Sequence, residues 1–247
     1  MRPSPRRLLA GGPRRTERVG EVPQPYLDEF IAVGGNPHGS GGFSEFSEFG
    51  LAGFVDRFFA MSQHRDRMTA QYAWAVPTEP VVRAIAGFAR GAVCDLGCGT
   101  GYWAHLLEQV GATVTAVDLY PPAVELNHWH RRDVLGEGGC GVPHWTTVVA
   151  GDVATFEVPS SHALLLSWPP YDSRMADLAL SRYRGDRVIY IGDRVIYIGE
   201  GPGGCTGDDA FHARLEAEWT EGVFHKIPQW RGIHDSVSFY VRKEAKP

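Results

Sequence analysis

Lysine is nearly absent from this 247-residue chain: only Lys226, Lys243 and Lys246 accompany its arginines. Acids outnumber bases, 29 to 24, for a formal charge of −5, so no global positive field draws in nucleic acid or an anionic membrane. Cysteine is scarce too. Cys94, Cys98, Cys140 and Cys205 form no CxxC pair, which suits reduced thiols in a reducing, cytoplasmic compartment. No apolar run approaches the roughly 20 residues needed to span a bilayer, so no membrane partner is expected. With 43% hydrophobic residues, the chain can fill the core of one sizeable α/β domain plus extra elements.

Acids are also missing from the first sixteen residues, which hold Arg2, Arg6, Arg7, Arg14 and Arg15. The twin arginines lack a following apolar region of secretory length. Residues 34–50, rich in Gly and carrying two Ser-Glu-Phe copies, read as linker. Residues 1–50 are therefore expected to be a disordered basic leader and linker. A helical cap is expected over 51–91, with helices over 54–72 and 80–89 around the aromatic turn Tyr72–Thr78. From Ala92 onward strand and helix patterns alternate, predicting a doubly wound, mainly parallel α/β sheet with helices on both faces.

What the chain has in quantity is glycine, and its most informative use is Asp95-Leu96-Gly97-Cys98-Gly99-Thr100-Gly101. An apolar strand (Ala92-Val93-Cys94) enters this turn and a helix starting at Tyr102 leaves it. Glycines let the backbone turn with positive φ and let a ligand approach without meeting a Cβ. The following helix points free N–H groups at that ligand. The spacing is D-x-G-x-G-x-G rather than the G-x-G-x-x-G of dinucleotide sites. A second strand, Thr113–Asp118, ends in an acid where nucleotide sites bind the ribose hydroxyls. A third, 145–150, runs into Gly151-Asp152.

This arrangement resembles the class I S-adenosylmethionine-dependent methyltransferases. The resemblance covers about residues 70–243 and implies a seven-stranded sheet with an antiparallel C-terminal hairpin, so that 92–243 forms the S-adenosylmethionine-binding methyltransferase domain. It implies S-adenosylmethionine as cofactor, held by Asp95, Gly97, Gly99, Gly101, Asp118 and Asp152, with Asp152 accepting from the adenine amino group. It also points to Trp168-Pro169-Pro170-Tyr171, after the fourth strand (163–167), as the acceptor-facing turn. That turn is similar to the [Asp/Asn/Ser]-Pro-Pro-[aromatic] motif of methyltransferases acting on planar amino groups, where the first residue and a proline carbonyl hold the amine. Here the first position is Trp168, and an indole donates one hydrogen bond and accepts none. The turn suits a flat or cationic substrate through stacking or cation–π contact.

The loop 199–209 borders the same region, and its Glu200 is the candidate base, with Asp208 read as a helix cap. His234, before the final strand, is a further candidate base. No metal is expected, because Cys205, Asp209 and His212 fit no standard spacing. His128 and His130 fall in an expected helix, where residues two apart diverge.

Residues 185–191, Gly-Asp-Arg-Val-Ile-Tyr-Ile, recur verbatim as 192–198. Seven is odd, so the copies cannot share one longer strand with the same faces buried. Either one copy loops out or Gly192-Asp193 turns a hairpin. The second copy is expected to be the fifth strand, because its exit leads into the glycine-rich loop. Further helices are expected over 172–183 and 208–219, and the last strands over 222–227 and 237–242.

The expectation is methyl transfer from S-adenosylmethionine to a small or planar acceptor, most simply a small molecule. Rival readings are a Rossmann oxidoreductase, a non-catalytic cofactor-binding scaffold, and an amino-group methyltransferase acting on a nucleobase or protein side chain. Nucleic acid as partner is opposed by the acidic balance.

Overall fold

A computed structural model describes residues 22–37, 62–121, 127, 129–130, 143–193 and 205–244. Its spine is a seven-stranded sheet in the order β3-β2-β1-β4-β5-β7-β6. The strands are β1 (Ala92–Leu96), β2 (Thr113–Asp118), β3 (Val148–Ala150), β4 (Ala163–Ser167), β5 (Arg187–Asp193), β6 (Trp219–Lys226) and β7 (Asp235–Arg242). Strands β1 to β5 pair in parallel, and β7 runs antiparallel to both β5 and β6. This is the mixed, Rossmann-like sheet expected for the methyltransferase fold.

Six helices are described: α1 (Pro25–Ala32), α2 (62–71), α3 (Glu79–Phe88), α4 (Tyr102–Gln109), α5 (Met175–Arg182) and α6 (Asp209–Glu218). Alternation along the strands sorts the core into two layers, as the period of two requires. Val93, Leu165, Ile189, Ile191, Val237 and Phe239 face α1, α3 and α4. Cys94, Leu96, Leu164, Leu166, Val188 and Tyr190 face α5 and α6. The central strands are buried on both faces, which is why β4 reads as an unbroken apolar run.

The N-terminal expectation needs correction. Within 1–50, residues 25–32 are a helix, with Pro25 in its first turn where a missing N–H costs nothing. Tyr26 and Phe30, four apart on one face, are fully buried. Tyr26 stacks on Tyr72 (centroids 5.0 Å apart) and accepts the Trp230 indole N–H at 3.0 Å, while Phe30 meets Trp230 edge-on. Burying two such aromatics contributes about 1.5–3 kcal/mol each. The flanking arginines and glycines mask this short amphipathic stretch in composition. Residues 1–21 and 38–50 of the leader and linker lie outside the described residues, as do residues 54–61 of the expected cap helix.

The repeat resolves against expectation as well. The first copy forms β5, extended by Gly192 and Asp193, which pair with Ser236 and Asp235. There is accordingly no hairpin at Gly192-Asp193. The reason lies in the short connection from α5. The Tyr183 hydroxyl hydrogen-bonds both the His162 and Arg187 carbonyls, and Arg242 reaches back to the carbonyls of Tyr183 and Gly185. Four residues suffice to join α5 to β5 this way, in line with the usual length of such links. Residues 194–198 of the second copy lie outside the described residues.

On the far side, the Thr206 hydroxyl donates to the Asp193 carbonyl at 3.2 Å, so the two ends of the 194–205 connection lie together and a shorter one can close. Deleting residues 194–200 should therefore leave the sheet intact, with Tm within about 4 °C of the parent, equivalent to roughly 1–2 kcal/mol at this size. Thermal denaturation followed by circular dichroism checks this; a loss of cooperative unfolding would place essential structure in the second copy.

Candidate active site

The glycine turn is built by backbone hydrogen bonds and positive φ. The Gly97 and Cys98 amides both donate to the Val117 carbonyl, at 2.8 and 3.0 Å, which folds the turn onto the end of β2. Gly97, Gly99 and Gly101 have φ of 78°, 56° and 76°, a region that L side chains avoid. A Cβ on Gly99 would lie 2.3 Å from His130 Nε2, and one on Gly97 would lie 2.7 Å from Met175 Cε. Met175 begins α5, directly after the Trp168–Asp172 turn, so the two turns adjoin.

Three acids stand at this edge of the sheet. Asp118 is half-buried; its carboxylate accepts the Gly99 and Tyr120 amides, each at 2.9 Å. Burial raises its pKa, and those two hydrogen bonds oppose the rise. Asp152, two residues beyond β3, is exposed and caps its own turn through the Ala154 amide at 2.8 Å. Asp95 differs from both. It is buried, and neither carboxylate oxygen has a hydrogen-bond partner. Burial, with Asp118 adding repulsion, pushes its pKa up to about 8. A buried, unpartnered carboxyl beside a glycine cradle is the counterpart that a ligand's ammonium group requires, so these residues fit S-adenosylmethionine.

Helix α2 is bolted to this turn by its own C-terminus. The last carbonyls of a helix lack intrahelical partners. Here the Ala70 carbonyl accepts from His130 Nδ1 at 3.2 Å, the Gln71 carbonyl from the Trp145 indole at 2.8 Å, and the Tyr72 carbonyl from the Thr100 hydroxyl. Because a carbonyl can only accept, Nδ1 carries the proton, and burial lowers the His130 pKa to about 4. Residues 129–130 form a bend rather than the expected helix, and Asn127 Oδ1 accepts both of their amides at 3.0 Å. His128 lies outside the described residues.

The turn after β4 is held tightly. Trp168 takes φ of 51°, its amide donates to the Ile191 carbonyl, and the Pro169 carbonyl accepts the Gly207 amide, both at 2.8 Å. Pro170 forms an isolated bridge with Thr206. The Trp168 indole N–H donates to Asp235 Oδ1 at 2.8 Å, so the ring is turned toward β7 and stacks on Trp74 at 5.1 Å. Tyr171 stands apart from this group, 63% exposed. Glu200 lies outside the described residues. His234 is half-exposed, with Nδ1 3.7 Å from Asp193 Oδ1. His212 Nε2 donates to the Thr206 carbonyl, and no metal-binding group of His, Cys, Asp and Glu occurs among the described residues.

Two buried acids, Asp193 and Asp235, escaped the sequence reading. They sit directly opposite each other across β5 and β7. Burial raises both, Asp235 to about 8. Asp193 did carry a signal, being a strand-end acid like Asp95 and Asp118. Arg65, which lies against Trp74 and Trp168, carried none.

Residues 61–173 match a family model described as a methyltransferase domain. No curated protein matches the chain in sequence. Among solved structures, magnesium protoporphyrin IX methyltransferase from Synechocystis PCC 6803, with bound SAH, is similar at TM-score 0.42 and 14% identity, covering 81% of this chain and 97% of its own. The Burkholderia thailandensis 1,6-didemethyltoxoflavin-N1-methyltransferase is similar at TM-score 0.44 and 18% identity, covering 85% and 94%.

Asp95 yields a signed expectation. Unfolded, its carboxyl ionises near the ordinary value of about 4; folded, near 8. Between those values the folded state holds the extra proton, so this residue costs stability progressively as pH rises from 4 to 8. Asp95→Asn cannot ionise. Its Tm relative to the parent should climb between pH 5 and pH 8 in ligand-free protein, and a flat difference would place the charge elsewhere.

Proposed function

We propose that this chain, whose residues 61–173 match a methyltransferase-domain model, is a class I, S-adenosylmethionine-dependent methyltransferase, with a division of labour among named residues. The unpartnered Asp95 carboxylate holds the cofactor's ammonium group, Asp118 its ribose hydroxyls and Asp152 the adenine edge, while Gly97, Gly99 and Gly101 admit its backbone-hugging portion. The observation carrying this assignment is Asp95, buried with both oxygens free of hydrogen bonds.

When bound, S-adenosylmethionine supplies a methyl carbon already activated by its sulfonium, so the chain needs no nucleophilic side chain of its own. Its residues must orient donor and acceptor and exclude water. Trp168 and Trp74 wall the acceptor side, and the cap helices α2 and α3 cover it while 92–243 supplies the sheet. We read the acceptor as a small or planar molecule meeting the Trp168 turn. Cytoplasmic placement belongs to the same proposal and leans on the free cysteines Cys94, Cys98 and Cys205. No helix among the described residues is long and apolar enough to cross a membrane.

Titration calorimetry tests the donor site. S-adenosylhomocysteine should bind and NAD should not, and Asp118→Ala should weaken the former by about 10- to 100-fold, the scale of losing one or two hydrogen bonds to a charged group. Absence of binding by both S-adenosylmethionine and S-adenosylhomocysteine would end the methyl-transfer reading.

A further inference from the structure

We propose that the acceptor pocket takes an organic cation, a primary or secondary amine protonated at neutral pH, and that the Arg65 guanidinium stands in its place until it arrives. The proposal rests on the methyl-transfer reading above.

Aromatic faces and buried acids meet at the Trp168 turn. Trp74 and Trp168 stack with planes 25° apart, and Trp129 meets Trp74 edge-on at 5.7 Å. Arg65 Cζ lies 5.3 Å from the Trp74 centroid and 5.5 Å from that of Trp168. Ring faces of this kind attract a cation through their quadrupole. On the same face of the sheet lie Asp193 and Asp235, both at least nine-tenths buried. Asp235 accepts the Trp168 indole N–H on one oxygen and leaves Oδ2 without a partner; Asp193 accepts the His234 amide and has the half-exposed His234 ring 3.7 Å from Oδ1, which makes no hydrogen bond. Buried carboxylate oxygens with no donor are the groups that a fold keeps only when something pairs with them.

Arg65 only half meets this demand. Its Nε is buried and donates to nothing, so ring faces and charge hold the guanidinium there, without a hydrogen bond from that nitrogen. Ring faces and the charge of the two acids hold Arg65 here, and a ligand whose N–H groups hydrogen-bond those carboxyl oxygens takes its place. Placement suits the reaction too. Trp168 leaves β4 beside the glycine turn, and Trp74 follows Tyr72, whose carbonyl takes Thr100 of that turn. The amine must enter transfer as its free base. Its proton therefore passes to the Asp193 carboxylate, after which its lone pair forms the N–C bond while the donor's C–S bond breaks and leaves its electron pair on sulfur.

Three probes of one shape and different charge test this on the full chain: phenethylammonium, 2-phenylethanol and 3-phenylpropanoate, titrated at pH 7 with tryptophan fluorescence as the readout. S-adenosylhomocysteine affinity, measured separately by calorimetry, reports on the donor site. The ammonium should bind at least tenfold more tightly than the alcohol, with the carboxylate weakest. Arg65→Ala should strengthen ammonium binding by about tenfold, and Asp193→Asn should weaken it by a similar factor. Should Arg65→Ala melt early, Arg65→Gln keeps the stem and carries the same expectation. Tightest binding by the carboxylate, or weaker ammonium binding in the Arg65 variants, would make Arg65 a fixed anion-holding residue and overturn the proposal. Equal binding of ammonium and alcohol alongside normal S-adenosylhomocysteine affinity overturns it and spares methyl transfer. The expected charge preference without S-adenosylhomocysteine binding supports the cationic pocket and removes the methyl-transfer reading.

Discussion

Three carbonyls at the end of α2 organise this molecule. A helix C-terminus buried against a sheet must find donors for its last carbonyls. Ala70, Gln71 and Tyr72 find them in His130, Trp145 and Thr100, which belong to the glycine turn and to the segments flanking β2 and β3. The helix and the turn thus satisfy one another. Release of either would strand several buried polar groups at once, each costing about 1–3 kcal/mol. The position of Trp74, three residues past the helix, and of Arg65 within it, follows from that attachment. So does the seat of α1, whose Tyr26 stacks on Tyr72.

The opposite economy rules the carboxyl edge of the sheet. Asp95, Asp193 and Asp235 are buried with oxygens left unpaired, and repulsion adds to burial in raising Asp95 and Asp235. Elsewhere the fold pairs its buried acid properly: Asp177 accepts from Arg174 and Arg214, and its pKa falls. The contrast separates an acid paired by two arginines from acids whose oxygens the fold leaves unpaired. Stability given up in a cluster of buried acids at one edge of a sheet is a usual mark of a binding surface.

Much of this was legible in the chain. The strand–turn–helix at Asp95–Gly101 and the acid closing Thr113–Asp118 are local patterns, decided by glycine conformation and period-two burial, and they stand where the sequence puts them. The fifth strand was not legible, because two identical copies compete and only a distant residue, Arg242 on β7, with Tyr183 before it, distinguishes them. Asp235 and Arg65 were invisible for a related reason. Their meaning comes from meeting Trp168 across 67 residues in one case and Trp74 in the other, and no spacing rule records such encounters. The burial of Tyr26 and Phe30 was hidden by a polar, glycine-rich neighbourhood.

The duplicated strand has a last consequence, for how the chain reaches this state. Residues 194–200, Arg-Val-Ile-Tyr-Ile-Gly-Glu, repeat 187–193 except that Glu replaces Asp at the end. A nascent chain that zips 194–200 between β4 and β7 makes the same ladder and buries the same side chains. Seven residues simply move from the connection after the strand to the one before it, and closure entropy depends only weakly on such lengths. The ladder alone therefore does not tell the copies apart; the short connection from α5 and the Arg242 clamp do, in favour of the first.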